Sequence, residues 1–546
     1  MKKSLALLLL AVLCACSSED SAQNKEVEKV VYTPESGGVY IDAAIGEASN
    51  LIPWTSSDSA SHAISSNIYD GLLKYDKDLN LVGDLADRWD ISEDGLTMTF
   101  YLKQNVKWAD GTKFTAHDVM ATFKTLTDPK TLTPYAGDYQ AVSSAEVVDD
   151  YTFKVTYDEP FAPALASWTL KILPKKRLEA EDINNSSLKE NPMGTGPYIL
   201  GTWKRGESVT LKANANHFQH MPYISNLMTR QIPDTDTQFL ELKAGNIDSM
   251  GLKPLQFTRL TNSKAFTDKF EKYKYLSNGY TYMGFKLDHP LFKDKKVRQA
   301  LSYAISREDI VEGVLFGQGL PLACPFKPGT WAYNENIKPY LQDINKAKQL
   351  LAEAGWEDTD GDGLLDKNIN GQKKQFEFTV ITNQGNDMRK MTAELMQQAF
   401  ANIGVKMNIN VQEWSTFIQN TINKRQFEAF ILGWSLTPEP DPFDIFHSSK
   451  MGEKEFNIVG FSNKEADDAM VAARRTFDQA ERKRHLDRFQ EILNDEQPYL
   501  FLYAPYSLIA IQKRIQNIEE APAGISHNFI DWYIPKVLQT RKVFTQ

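Results

Sequence analysis

Residues 375–433 read QFEFTVITNQGNDMRKMTAELMQQAFANIGVKMNINVQEWSTFIQNTINKRQFEAFILG. β-Branched and aromatic residues at 376–382, 405–411 and 427–432 predict three strands. Between them, 388–403 carries a helical pattern stopped by Gly404, and 415–423 a second helix. Such alternation predicts an α/β domain with a parallel sheet and right-handed crossovers. Ligands of open sheets bind beyond the carboxyl ends of the strands, which nominates the loop 383–386 with Asn383, then Trp414, and 433–441 with Trp434, Glu439 and Asp441. An indole there is a broad, rigid wall with one donor, and it serves equally well to pack two lobes together.

Outward from this stretch, Val297, Ala300, Leu301, Ala304 and Ile305 form one apolar helical stripe, and 347–354 repeats it before Gly355. Earlier, 39–45 and 97–102 alternate as strands, and the pairs Asp94-Gly95 and Asp110-Gly111 mark turns. The first part is strand-rich, helices are more frequent later, and there is no internal repeat or low-complexity block.

A chain of 546 residues implies several domains or a large two-lobed molecule, and 42% apolar with 24% charged residues is ordinary for a folded one. The formal charge of -10, without a Lys/Arg-dense stretch, removes the electrostatic basis for nucleic-acid binding. At the start, Lys2 and Lys3 precede the apolar run 5–13, too short to span a bilayer and read as an export signal over 1–15. The following Leu13-Cys14-Ala15-Cys16 resembles a lipoprotein cleavage box, although Cys14 departs from the usual small residue. Cys16 is then the expected lipidation site, with ordinary signal cleavage as the alternative. The polar stretch 16–35 is expected to be a flexible tether, and a lipidated Cys16 leaves Cys324 no partner for a disulfide.

The segments IYDGL (68–72), DLADRW (84–89), DGLTMTFYL (94–102), VKWADGTKFTAHDV (106–119), GTGPY (194–198), VRQALSYA (297–304) and AKQLLAEAG (347–355) occur in family order. Each is weak alone; together they resemble the family 5 extracytoplasmic solute-binding proteins of ABC importers, which include oligopeptide, dipeptide and nickel receptors. The resemblance implies a two-lobed class II periplasmic-binding-protein fold with an extra inserted domain. Lobe I is then expected at 36–68, 192–284 and 514–546, the inserted domain at 69–191 and lobe II at 285–513. It also implies hinge closure on a solute and delivery to a permease and ATPase complex by a monomer that is lipid-anchored in the periplasm or at the cell surface.

Peptide receptors of this family carry an Asp three residues after the strand-end Trp, where it pairs with the ligand ammonium. Here that position is Thr437, so the match fails and Glu439 or Asp441 is the candidate replacement; for Asp441 a turn-capping role competes. Arg389, at the start of its helix, is a candidate for a ligand carboxylate, with a surface position as the alternative. Tyr282 and Asn457 are pocket candidates by position. Peptide is the leading ligand; a nickel complex or oligosaccharide is the alternative.

Asp358, Asp360, Asp362 and Asp366 fall at positions 1, 3, 5 and 9 of a calcium-type loop with Gly363 at 6, but Ile369 stands where a bidentate Glu belongs. A structural calcium is therefore weighed against a polar turn, and no cofactor is required. His217 and His220 lack a third ligand and read as surface residues. No HExxH, GxSxG or phosphate-loop motif supports an enzyme. A glycosidase-type hydrolase, whose paired carboxylates leave no linear pattern, is the rival from another class.

Overall fold

The expected three strands are Glu377–Asn383, Lys406–Gln412 and Ala429–Ser435, and the first lies between the other two, parallel to both. The helix Asp387–Ala401 crosses between the first pair, and Gly404 reverses the chain after it at φ 77°. The second crossover differs from the expected α-helix: Trp414–Thr416 is α-helical, but Phe417–Ile422 widens to a π-helix, with Asn423 N–H reaching back to Ile418 O at 2.9 Å. This wider turn buries Phe417, Ile418, Thr421 and Ile422 together. The two remaining stripes form the helices Lys295–Ala304 and Ile344–Glu353.

The computed structural model describes residues 32–541. The expected signal segment, Cys16 and nearly all of the tether lie outside them.

The 14-residue strand Tyr499–Gln512 serves two lobes. Its first half pairs with Gly279–Phe285 and Gly319–Pro321, and Gly279–Phe285 in turn pairs with Ala429–Ser435. The second half pairs with Phe270–Leu276 and Ser249–Gly251. On this pairing we place the two crossings between lobes at 276–279 and 504–506, ahead of the expected borders at 284/285 and 513/514. Two short crossings are a hinge that a few backbone dihedrals can move.

In the first lobe, Gly37–Ala44 runs parallel to Ile224–Gln231, which continues antiparallel into Ser208–Ala213 and Tyr198–Lys204. The segment 69–191 holds a four-stranded antiparallel sheet ordered Ala86–Ile91, Thr97–Leu102, Thr152–Tyr157, Val142–Asp149. The motifs at its two ends explain each other. Thr195 Oγ1 donates to the buried Asp70 Oδ2 at 2.8 Å, and Gly196 N–H to Ile68 O at 2.8 Å. A Cβ on Gly194 would lie 1.8 Å from Ile68 O, so only glycine permits the approach. One apolar cluster runs from Phe100, Phe153 and Trp168 through Tyr69 to Leu227 and Trp532, so the inserted sheet and the first lobe share a core.

The C-terminal segment is fastened by charge. Asp248, fully buried, accepts from Arg514 Nε and Arg541 Nη1, both at 2.7 Å, and from Ile41 N–H at 2.8 Å. Removing one partner from such a buried cluster leaves uncompensated charge. Asp248→Asn is expected to lower unfolding stability by about 3 kcal/mol in urea titration; a change within about 0.5 kcal/mol would mean that the cluster is not a fastening.

Candidate functional site

The carboxyl ends of the parallel strands meet the antiparallel Gly279–Phe285 strand at an aromatic floor. Tyr282, fully buried, lies between Tyr499 (ring centroids 4.0 Å, 22°) and Trp434 (6.5 Å, 2°). Trp434 also meets the ring of Phe456 edge-on at 5.2 Å, and its Nε1–H reaches Tyr499 Oη at 3.4 Å. Tyr282 therefore supports Trp434 from beneath. Trp434 is half-buried and keeps the wall position expected of it.

Arg389 is not a surface residue. Asn386 caps its helix by accepting Arg389 N–H at 3.0 Å, and the guanidinium Nη1 donates to Asn383 Oδ1 at 2.8 Å. Its Nε is buried without a partner, and among the described residues no carboxylate pairs with it. Burial pushes this guanidinium below its ordinary pKa, opposed by the nearby Tyr503 and Tyr282. Gly433 makes the room: a Cβ there would lie 2.8 Å from Arg389 Nη2. Asn383 is therefore an orienting partner of the cation, and it is 1% exposed.

Trp414 stands at the seam between lobes. Its ring occupies the space in front of Gly46, where a Cβ would lie 2.5 Å away, and its Nε1 is buried without a partner. Nearby, Gly385 approaches Pro233 O and Ile45, and Lys253 pairs with Asp387 at 2.5 Å. The lobes touch across the cleft.

Three expected contacts are corrected. Glu439 is held in an ion pair by Arg482. Asp441 accepts from Arg474 Nη2 at 2.7 Å and Nε at 2.8 Å, while Arg474 also reaches Asp138 of the inserted sheet region at 2.9 Å. Burial pushes the Arg474 pKa down, but Asp441 and Asp138 together hold it above its ordinary value. Both acids thus pair with scaffold arginines; Thr437 itself is exposed. Asn457, fully buried, donates to Phe446 O, His447 O and Phe461 O and accepts Phe461 N–H, which makes it a backbone clamp. The arginines that claim Glu439 and Asp441 lie 43 and 33 residues away, and no local pattern announces them.

In the acidic loop, Asp358, Asp360 and Asp366 come together, whereas Asp362 turns to Gln375 at 2.7 Å. Lys373 Nζ sits among the three, 2.6 Å from Asp360 and 3.1 Å from Asp366, and Asp358 caps Gly361 and Gly363 N–H. The lysine already supplies the cation that the carboxylates need, so calcium would have to displace it.

A two-lobed α/β molecule with a cleft at the strand ends, aromatic walls and an unneutralised cation is a solute-binding protein. The model of the "Bacterial extracellular solute-binding proteins, family 5 Middle" matches residues 80–454, and the chain belongs to this family. It is 33% identical to the oligopeptide-binding protein AppA of Bacillus subtilis over 98% of both chains. That protein's structure in complex with a nonapeptide covers 92% of this chain and 100% of its own, with a TM-score of 0.87. The heme-binding protein A of Haemophilus influenzae is 28% identical over 96% of this chain and 97% of its own. The structure of NikZ from Campylobacter jejuni in complex with Ni(L-His) is 28% identical, covers 92% of this chain and 100% of its own, and has a TM-score of 0.81.

Asp441→Asn and Asn457→Ala are expected to lower the melting temperature while leaving solute affinity within about twofold. A loss of affinity at unchanged stability, by calorimetry on the same preparations, would return them to the binding surface. Millimolar calcium is expected to leave the melting temperature unchanged, and Lys373→Gln to make the loop calcium-responsive.

Proposed function

We propose that this protein captures peptides between its lobes and presents them to an ABC importer. The observation that carries the reading is the guanidinium of Arg389, buried at the cleft floor with no acidic partner. A charge in that setting costs free energy until a counter-ion arrives, and a ligand carboxylate in a charge-assisted hydrogen bond offsets that cost. The similarity to a nonapeptide-binding relative supports a peptide as the bearer of that carboxylate.

In this reading the peptide's C-terminus binds Arg389, Trp434 and Trp414 flank its side chains, and no acid fixes its ammonium. Closure follows because contacts on both lobes favour the closed state by their differential affinity. The chain acts outside the cytoplasm as a monomer held to the membrane by lipid on Cys16, and a separate permease and ATPase complex receives the load. It releases its ligand chemically unchanged, uses no cofactor and needs no calcium. The second reading is a metal–amino-acid chelate such as the Ni(L-His) of the Campylobacter relative. The absence of an acid at Thr437 favours it, because a chelated amine needs no anion.

Isothermal titration with a free peptide and its C-terminal amide tests this. Arg389→Met and amidation are each expected to weaken binding by about 2–5 kcal/mol, thirtyfold or more, and not additively. Equal affinity of acid and amide for the unaltered protein would reject the peptide-carboxylate assignment. Retention of a nickel complex in native mass spectrometry would establish the second reading.

A further inference from the structure

A second cavity, of about 720 Å³, lies in the first lobe, and none of its lining residues belongs to the second. That volume is within the range of small-molecule sites. Its floor is one face of the four-stranded sheet, where Tyr40, Asp42 and Ala44 alternate on the Gly37–Ala44 strand, in register with Leu227, Thr229 and Gln231. The space exists because small residues face it: Ala44, Ala60, Ala63 and Gly251. Trp203, Tyr275, Phe529 and Trp532 form aromatic walls.

Two carboxylates line it: Glu47 pairs with Arg205 at 3.5 Å, whereas Asp42 stands on the sheet floor. Asp42 Oδ1 is buried and accepts no hydrogen bond. By contrast, Tyr40 Oη is bonded to Ser249 at 2.5 Å and Trp532 Nε1 to Asn528 at 3.0 Å, so the neighbouring polar groups are satisfied. Burial pushes the Asp42 carboxyl up to about 6, which leaves it largely ionised at neutral pH. Thr229 bonds the carboxyl group and Lys204 also lines the cavity, but among the described residues no cation pairs with Asp42, and its Oδ1, beside the aromatic walls, still lacks a donor. A bare metal ion is poorly matched, since a single carboxylate cannot complete its shell.

We infer that this cavity binds an organic ammonium, its charged nitrogen on Asp42 and its apolar body against the aromatic walls. The site is separate from the interlobe cleft and does not depend on the peptide reading. Because it lies in one lobe, its occupancy gives no differential affinity for the closed state and does not itself drive closure.

Titration calorimetry with phenethylamine and its uncharged counterpart phenethyl alcohol tests the assignment on the intact protein. The amine is expected to bind at least about tenfold more tightly than the alcohol. Asp42→Asn should remove that difference, Ala63→Phe should abolish binding by filling the space, and Arg389→Met should leave it unchanged. No saturable binding of the amine, or equal binding of amine and alcohol, overturns the proposal, as does a Asp42→Asn variant that keeps the preference. Loss with Arg389→Met would instead place the amine in the interlobe cleft and overturn it too. Should Asp42→Asn fail to fold, the amine–alcohol contrast and Ala63→Phe decide alone.

Discussion

A buried guanidinium without an anion is the constraint around which the cleft is arranged. Arg389 keeps its position because Asn383 accepts from Nη1, Asn386 caps its helix, and Gly433 leaves space for the head group. All three arise from the parallel sheet: strand ends place Asn383 and Gly433 side by side, and the crossover helix begins where its positive end adds to the field. Arg474, Arg482 and Arg514 are each given a carboxylate. Arg307, buried and also without an acid among the described residues, is instead filled by Phe501 O, Tyr340 O and Ser302 Oγ, whereas the Arg389 guanidinium has only Asn383 Oδ1 and leaves its Nε unpartnered.

The acids around the cleft show the same economy from the other side. Asp441 and Asp138 clamp Arg474 between the inserted region and the second lobe, and Glu439 is committed to Arg482. With Thr437 in the place of the family's acid, the cleft carries a local excess of positive charge within a protein whose net charge is -10. Long-range repulsion of anionic solutes by the whole molecule is screened at physiological salt, while the buried cation is not. In the proposed reading selectivity therefore rests on the short-range pairing at Arg389 rather than on steering.

Local periodicity revealed the sheet at 377–435 and both amphipathic helices, because burial on one face imposes a regular spacing that can be read without knowing the partner. It pointed to Trp434 and Arg389 by topology alone, since strand ends are where ligands bind. Where a partner is distant in sequence it is not legible locally: nothing near Asp441 announces Arg474, and nothing near Asn457 announces that it binds the carbonyls of 446, 447 and 461. The acidic loop has a partner that its own sequence does not announce either, as Lys373 enters from the next hairpin strand. Tyr282 lies beneath Trp434, a depth that its place in the strand does not reveal. The first-lobe cavity had no sequence signal at all; it is made by alanines and glycines on separate elements, and small residues mark equally a tight approach and an empty space.

Closure must be judged against contacts that need no ligand. The Trp414 ring against Gly46, the approach of Gly385 to Pro233 and Ile45, and the Lys253–Asp387 pair all join the lobes directly. Each is modest, the exposed side of the ion pair contributing about 1 kcal/mol or less. Together they bring the closed state near in free energy, so a ligand need not supply the whole difference. Bringing the lobes together unliganded also lowers the barrier to specificity, because any solute able to enter an already populated closed state binds with little closure cost. The unpaired Arg389 opposes this. Closing over an empty site further desolvates the guanidinium, and that penalty is relieved only by a solute that brings an anion. In the proposed peptide reading the same residue selects the ligand and biases the hinge against shutting without one.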